Sequence, residues 1–480
     1  MRIALATQHV DRAFIPLALM YLKASLVGRG CSTPDEVVML EFGRRDSTAD
    51  AIAAALIDAR PDIVGLSCYV WNVTTTLAAA RLVKAQAPAT RIVLGGPEVG
   101  PVAADVLRRH PYVDAIVNSE GEVPFADIVE AWQAERGLDG VPGICFRDGD
   151  GIVETGPARL VKDLGDYPSP HIERYVDYAR RIVSIETQRG CVFQCNFCFY
   201  NKDYSLRNRR FDLDRVKAEL LVALDQDALE IYLMDPVFNL NAARAKEICR
   251  FIAAHNPRRI PVHSEIWAEF VDDELAGLMR EAAFHNLEVG LQTTDPTTLA
   301  TADRRLRLDR FNEGIAHLHR HQLRFELQLI YGLPGETPST FRDSLNFALA
   351  LDPPELSVFR LMVLPGTELW RKADDLKLTY DPEPPYHARS HLSMTEADMR
   401  DGYRFLKAAN FLQSSRTIRV LARERGLTFA DIVEAWLAWR PDAPPGEADS
   451  ATLAAFVTHL CGSKQIPAAF YERFGELEFA

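Results

Sequence analysis

Cys191, Cys195 and Cys198 share one short stretch, RGCVFQCNFCFY (189–200), in a 480-residue chain that carries only eight cysteines. Spacings of three and then two residues let the backbone curl and bring the three sulfurs to one centre. Thiolates are soft ligands that select zinc or iron–sulfur centres. A structural zinc site wants four ligands in paired short spacings. The next downstream candidates, Cys249 and His255, sit on a segment of helical periodicity and are far from the loop in sequence. Three protein ligands leave one coordination position open, which points to chemistry more than to scaffolding. The remaining cysteines are scattered and too few for a secreted disulfide framework, so a reducing compartment and a metal are expected.

Other polar residues close apolar runs. Asp235 stands in LMDPVFNLN, Glu265 in HSEIWAEF, Gln292 in EVGLQTTD, and IYGLPGET and VLPGTELW follow the same pattern. Alone, such residues equally well cap helices or satisfy loop backbone groups. Nearer the N-terminus, GLSCYVWN (65–72), LGGPEVG (94–100) and NSEGEVPF (118–125) also end apolar runs. Gly95 and Gly96 permit close backbone approach to a large ligand, while Glu98 and Glu122 disfavour a phosphate-rich dinucleotide.

The elements that must position these residues follow from periodicity. IALAT (3–7), VVMLEF (37–42), DIVGLSCYV (62–70), RIVLGG (91–96) and DAIVNSE (114–120) alternate with amphipathic helical segments. Five strands with crossover helices predict an open, mostly parallel α/β sheet that binds ligand beyond its strand carboxyl ends. A Gly-, Pro- and Asp-rich stretch over 137–180 predicts a short hairpin plus linker. Six further βα units, from RIVSIET (181–187) to ELSVFRLMVL (355–364), predict a partial (β/α)6 TIM-type barrel with its chemistry at the strand carboxyl ends. The expected division is thus a Rossmann-like α/β domain over 1–136, a linker over 137–180, the barrel over 181–375 and a mostly helical domain over 376–480. Within the last, Tyr403, Phe405, Phe411 and Trp436 read as a helical core.

A formal net charge of −13 argues against a nucleic-acid surface, which profits from Lys and Arg that release counterions. The short basic runs RRHP at Arg108 and RNRR at 207–210 read as solvated faces or loops. The N-terminus MRIALATQHV lacks a basic region followed by a long apolar run, and no stretch reaches the roughly 18 apolar residues of a membrane helix. A cytoplasmic location with no membrane partner is expected.

CVFQCNFC resembles the radical S-adenosylmethionine signature Cys-x-x-x-Cys-x-aromatic-Cys, with Phe197 as the aromatic. The resemblance implies a 4Fe-4S cluster held by Cys191, Cys195 and Cys198, with S-adenosylmethionine chelating the fourth iron. It implies one-electron cleavage to methionine and a 5′-deoxyadenosyl radical, driven by an external reductant of flavodoxin or ferredoxin type. The later strand ends resemble the branch that includes coproporphyrinogen oxidase and the methylthiotransferases. That likeness implies Glu265 and Gln292 near the ribose or methionine part of S-adenosylmethionine, Phe197 facing the adenine, and Asp235 near substrate or cofactor.

The first-domain segments resemble the cobalamin-binding domain that precedes such barrels. This implies cobalamin contacts by Ser67, Trp71, Asn72, Gly95, Gly96, Pro97, Glu98, Gly121 and Glu122. The chain lacks the Asp-x-His-x-x-Gly motif that places a histidine under cobalt, and Trp71 is the candidate shield of that lower face. Together the motifs are similar to those of cobalamin-dependent, class B-type radical S-adenosylmethionine methyltransferases. The resemblance implies methylation of an unactivated carbon of a small-molecule or peptide substrate. Cyclisation, oxidation or rearrangement without methyl transfer, and a non-catalytic cobalamin or redox sensor, are the alternatives. A transfer-RNA methylthiotransferase would need a second set of three cysteines in the first domain and a small basic β-barrel tail, neither of which the sequence offers.

Overall fold

The computed structural model describes residues 1–200, 208–413, 415, 418 and 426–461. Arg207 of the second basic run and the last part of the tail, 462–480, lie outside the described residues.

The first sheet is built from β1 (Ile3–His9), β2 (Val37–Gly43), β3 (Ile63–Ser67), β4 (Arg91–Gly95) and β5 (Ala115–Val117), joined by α1 (Leu17–Gly28), α2 (Ala49–Asp58), α3 (Val73–Gln86) and α4 (Ala103–Arg109), with α5 (Glu122–Gln133) after β5. All five strands are parallel. Alternate side chains of β1 face opposite layers. Ile3 and Leu5 pack with Leu19, Phe125 and Ile128, whereas Ala4 and Ala6 pack with Ile52, Leu56 and Val83. Both faces being covered explains why these strands read as unbroken apolar runs.

The hairpin expected in the connecting segment belongs to this sheet. β6 (Ile144–Asp148) pairs antiparallel with β5, and β7 (Gly151–Glu154) pairs with β6, giving the order β2-β1-β3-β4-β5-β6-β7. Without it β5 would be an open edge of unpaired backbone groups, and the buried Ile144, Cys145 and Phe146 supply the apolar cover.

The second sheet comprises β8 (Ile182–Ile185), β11 (Glu230–Leu233), β12 (Val262–Ile266), β13 (Phe284–Gln292), β14 (Phe325–Tyr331) and β15 (Glu355–Arg360). Between β8 and β11, a short ribbon pairs β9 (Gln188–Arg189) with β10 (Arg209–Arg210). The strands lie in chain order, all parallel, and the crossover helices are α6 (Leu213–Asp225), α7 (Ala242–His255), α8 (Asp273–Glu281), α9 (Pro296–Thr301), α10 (Leu308–Arg320) and α11 (Pro338–Ala350). This is an unclosed barrel with two edges, and each is covered from elsewhere in the chain. Phe14 of the first domain bridges to Ile182, with Ile182 N–H donating to Ala13 O at 2.7 Å and Ile15 N–H to Ile182 O at 3.1 Å.

At the other edge, after α12 (Glu368–Arg371), the helix α13 (Glu396–Leu412) covers β15. Asn410 Nδ2 donates to Val358 O at 3.3 Å, and Gln413 Nε2, just past the helix end, donates to Leu356 O at 2.8 Å. α13 starts at a capping box in which Thr395 and Asp398 satisfy each other's backbone groups. α14 (Phe429–Trp439) and α15 (Ser450–Cys461) complete the described tail, with Phe405 and Trp436 buried in its core. Among the described residues, no helix is long and apolar enough to cross a membrane.

Candidate functional site

Three connections fix the cysteine loop. Asp235, just past β11, is fully buried and accepts from Thr187 N–H at 2.7 Å, Thr187 Oγ1 at 2.5 Å and Gln188 N–H at 3.1 Å. Burial pushes its carboxyl up to about 7 against these bonds. Asp235, expected near substrate or cofactor, thus also fastens the segment that launches the loop. Asn196 then anchors the loop itself, with its N–H on Ala302 O at 3.0 Å, its side-chain Nδ2 on Thr301 O at 2.6 Å, and its carbonyl accepting from Leu369 N–H at 2.8 Å.

Cys195 is buried, Cys191 and Cys198 half-buried, and Cys198 N–H donates to Cys195 O at 3.1 Å. Burial pushes the Cys198 thiol up to about 12, and Cys191 and Cys195 add to the rise. Cys191 is raised by burial first, then by Cys195 and Glu265. A cation bound by these thiols would release their protons. Among the described residues no three His, Cys, Asp or Glu side chains, the three cysteines included, are grouped to hold a single metal ion. The donor set, three thiolates on one fastened loop, fits an iron–sulfur cluster with one open position. Phe197 is half-buried against the barrel core.

Glu265, the penultimate residue of β12, accepts from Tyr232 Oη at 3.3 Å, and burial, helped by Glu288, pushes it up to about 7. Gln292 ends β13 with φ +69, a left-handed conformation strained for a side chain other than Gly or Asn. Its Oε1 is buried without a hydrogen-bond partner among the described residues. A strained strand end holding an orphaned acceptor suits a ligand that brings a donor.

On the first sheet, Gly96 has φ +109, and a Cβ there would lie 2.5 Å from Cys68 O. Only glycine lets the Gly95–Gly96–Pro97 turn press this close to the β3 exit. Asn72 is buried and accepts from Tyr69 N–H at 2.8 Å while donating at 3.2 Å to both Gln8 O and Ser67 O. Ser67 Oγ donates to Thr7 Oγ1 at 2.6 Å. Asn72 and Ser67 thus hold the β1 and β3 ends together. Trp71 remains 37% exposed, stacks on Tyr69 at 4.4 Å and donates Nε1–H to Gln8 O at 3.1 Å. It offers a flat apolar face at the carboxyl edge of the sheet. Gly121 precedes α5 and packs against Leu22.

Glu98 and Glu122 do something else. Glu122 pairs with Arg189 at 2.7 Å, and Glu98 accepts from Tyr386 Oη. Both carboxylates are buried, and both partners come from beyond the first sheet, so these two side chains, expected as cobalamin contacts, make contacts across the domain junction. Arg189 also meets Glu186 at 2.8 Å and Glu120 at 3.6 Å, and lies over the rings of Tyr21 and Tyr167. Arg209 joins Glu120 from the neighbouring β10, and Gly366 packs on Pro101. The carboxyl ends of the two sheets consequently face each other. Sequence reading passed over Arg189 and Tyr386. Arg189 carried one available signal, a position two residues before Cys191; Tyr386 carried none.

Residues 4–129 match the B12 binding domain model, and residues 185–348 match the Radical SAM superfamily model. A 2-(S-pantetheinyl)-carbapenam-3-carboxylate methyltransferase of Streptantibioticus cattleyicolor is 30% identical over 66% of this chain and 49% of its own length. The cobalamin-dependent radical SAM methyltransferase TokK of Streptomyces tokunonensis is 27% identical over 80% of this chain and 63% of its own. The chain therefore spans about half of the first relative and less than two thirds of the second. Among solved structures, the cobalamin-dependent S-adenosylmethionine radical enzyme OxsB, with aqua-cobalamin and S-adenosylmethionine bound, superposes with a TM-score of 0.69 at 14% identity, over 96% of this chain and 75% of that one.

Proposed function

The chain joins a B12-binding domain to a radical SAM domain and is homologous to the cobalamin-dependent radical SAM methyltransferases, and from that premise we propose that it methylates an unactivated carbon of a small-molecule or peptide substrate. The observation that carries the reading is the face-to-face arrangement of the two motif-bearing strand edges, held by Arg189 on Glu122 at 2.7 Å. When bound, a 4Fe-4S cluster with S-adenosylmethionine supplies a carbon-centred radical, and cobalamin supplies the methyl group.

The chain's own residues then have definable tasks. Cys191, Cys195 and Cys198 hold the cluster, and Asn196 and Asp235 keep their loop from drifting. Gln292 and Glu265 receive the donors of S-adenosylmethionine, with Phe197 as a hydrophobic neighbour. Gly95, Gly96, Pro97 and Gly121 form the cradle for the corrin, Trp71 supplies its flat lower wall, and Ser67 and Asn72 fasten the loops around it. The ion pairs around Arg189 fix the spacing between the two halves, which a radical that must meet one substrate and one methyl donor requires.

The test is anaerobic reconstitution with iron, sulfide and hydroxocobalamin. The protein should emerge from gel filtration with a stoichiometric corrinoid and, with dithionite, cleave S-adenosylmethionine to 5′-deoxyadenosine. The Cys195→Ala variant should keep the corrinoid and lose the cleavage. A cobalt-free product would sink the first-domain assignment, and an intact cluster without cleavage would favour a sensor.

A further inference from the structure

Along β11 and β12, Ile231, Leu233, Val262 and Ile266 turn into the core beneath the crossover helices, so the alternate residues Tyr232, His263 and Glu265 face the inside of the unclosed barrel. Among the described residues Tyr232 alone hydrogen-bonds to Glu265, its Oη donating to Oε1 at 3.3 Å. Burial and the neighbouring Glu265 and Glu288 push this hydroxyl up, so it keeps its proton and stays a donor. Glu288, opposite Glu265 on β13, is committed at both oxygens: Oε1 accepts from His263 at 2.9 Å and Oε2 from Gln328 Nε2 at 2.9 Å. Glu265 Oε2 has no such partner among the described residues. It is the carboxylate oxygen left for a ligand, and Tyr232 decides where it points.

Tyr232 is itself held by two rings. His263 lies 4.6 Å away at 35° and donates from both ring nitrogens, to Glu230 at 3.2 Å and to Glu288 at 2.9 Å. Against burial, these two bonds push His263 up to about 9, so the clamp is a cation at neutral pH. The second ring comes from outside the barrel: Phe14 of the first domain meets Tyr232 edge to face at 6.1 Å and 73°. Its backbone closes the seam beside β8, where Arg181 donates to Ala13 O at 3.2 Å, to Phe14 O at 2.6 Å and to Glu41 of β2 at 2.6 Å. The contacts that join the two domains thus also seat the Phe14 ring. We propose that Tyr232 is a positioning residue for S-adenosylmethionine: it sets the Glu265 carboxylate that receives the molecule, and Phe14 makes that setting depend on the docked first domain. The inference rests on the assignment of Glu265 to the S-adenosylmethionine site.

The experiment compares the full-length chain with Tyr232→Phe, Glu265→Gln, Phe14→Leu and the doubles Tyr232→Phe/Glu265→Gln and Phe14→Leu/Tyr232→Phe. Urea unfolding of iron-free protein comes first. The Tyr232 and Glu265 changes should be non-additive there, whether or not a cluster can form, and full additivity overturns the proposal. After reconstitution, iron content is recorded, S-adenosylmethionine binding is measured without reductant, and dithionite-driven cleavage follows. Tyr232→Phe should weaken binding by about tenfold and raise KM in step, with saturating S-adenosylmethionine restoring the rate, the pattern of a lost binding contact. Phe14→Leu should weaken binding by about threefold alone and not at all beside Tyr232→Phe. An equal loss in both backgrounds overturns the role of Phe14. Lower iron content, or a lower maximal rate at unchanged KM, in Tyr232→Phe marks a purely structural residue and overturns the proposal. So does wild-type affinity in Tyr232→Phe, which beside a weakened Glu265→Gln leaves the Glu265 assignment standing. Wild-type affinity in Glu265→Gln removes that assignment and the proposal together.

Discussion

The guanidinium of Arg189 meets the carboxylate of Glu122 at 2.7 Å across the junction of the two sheets, with side chains only 10% and 7% exposed. The pair stands two residues before the first cysteine of the loop and at the first residue of α5, so it ties the radical-forming half to the corrin-binding half at their working edges. Replacing Arg189 by Met leaves Glu122 and Glu186 without their counter-charge, while Glu120 keeps only Arg209. Breaking a buried ion pair in this way costs about 3–5 kcal/mol. Urea unfolding should show that loss for Arg189→Met, and a partial recovery when Glu122→Gln is added, because the second change removes one of the stranded charges.

The junction also responds to pH. Burial pushes Glu98 up to about 7, and the Tyr386 hydroxyl bonded to it opposes the shift. A carboxyl whose folded value lies above its unfolded value of about 4 holds its proton more tightly when folded. Its contribution thus favours the native state at low pH and is lost as pH rises through 7. Unfolding midpoints followed from pH 5 to pH 8 should fall less steeply for Glu98→Gln than for the wild type. Parallel curves would show that Glu98 carries no such linkage.

Gly96 is the narrowest point of the proposed corrin cradle. An Ala side chain there meets Cys68 O at 2.5 Å on a backbone with φ +109. The strain is of order 1–3 kcal/mol. Gly96→Ala should lower the unfolding midpoint and release corrinoid on gel filtration, whereas an exposed glycine such as Gly140, with nothing within 4 Å of an added Cβ, should tolerate the change with its corrinoid intact.

Trp71 is the residue most exposed to a test of its own. Its ring stacks on Tyr69 and leaves a free face at the sheet edge. Trp71→Phe should keep the corrinoid, and Trp71→Ala should weaken its retention by about tenfold, as expected for losing roughly 1.4 kcal/mol of stacking and apolar contact. Equal retention in the two variants would place the corrin elsewhere.

Much of this molecule is readable from local pattern. The parallel strands of both sheets announce themselves because apolar runs alternate with helical segments, and Cys191, Cys195 and Cys198 share one loop. What escaped reading is nonlocal. Glu122 looked like a ligand contact at a strand end until Arg189, 67 residues later, claimed it. Asp235 sits where a substrate-binding carboxylate would sit, and Thr187 and Gln188, 48 and 47 residues earlier, donate three bonds to it. The hairpin β6–β7 carries ordinary turn signals, and only the need to cover β5 assigns it to the first sheet. Gln292 was picked out by its position at a strand end, but its positive φ and orphaned oxygen are properties of the folded backbone alone.

The central claim is that one chain presents a radical source and a methyl-carrying cobalt to the same substrate. The most direct measurement supplies the reconstituted protein, under excess titanium(III) citrate as reductant, with S-adenosylmethionine labelled on its methyl group and follows the label on the protein-bound corrinoid alongside 5′-deoxyadenosine. The account predicts that label reaches the corrinoid in the wild type and in Cys195→Ala, while 5′-deoxyadenosine forms only in the wild type. An unlabelled corrinoid in a wild type that still makes 5′-deoxyadenosine would contradict it.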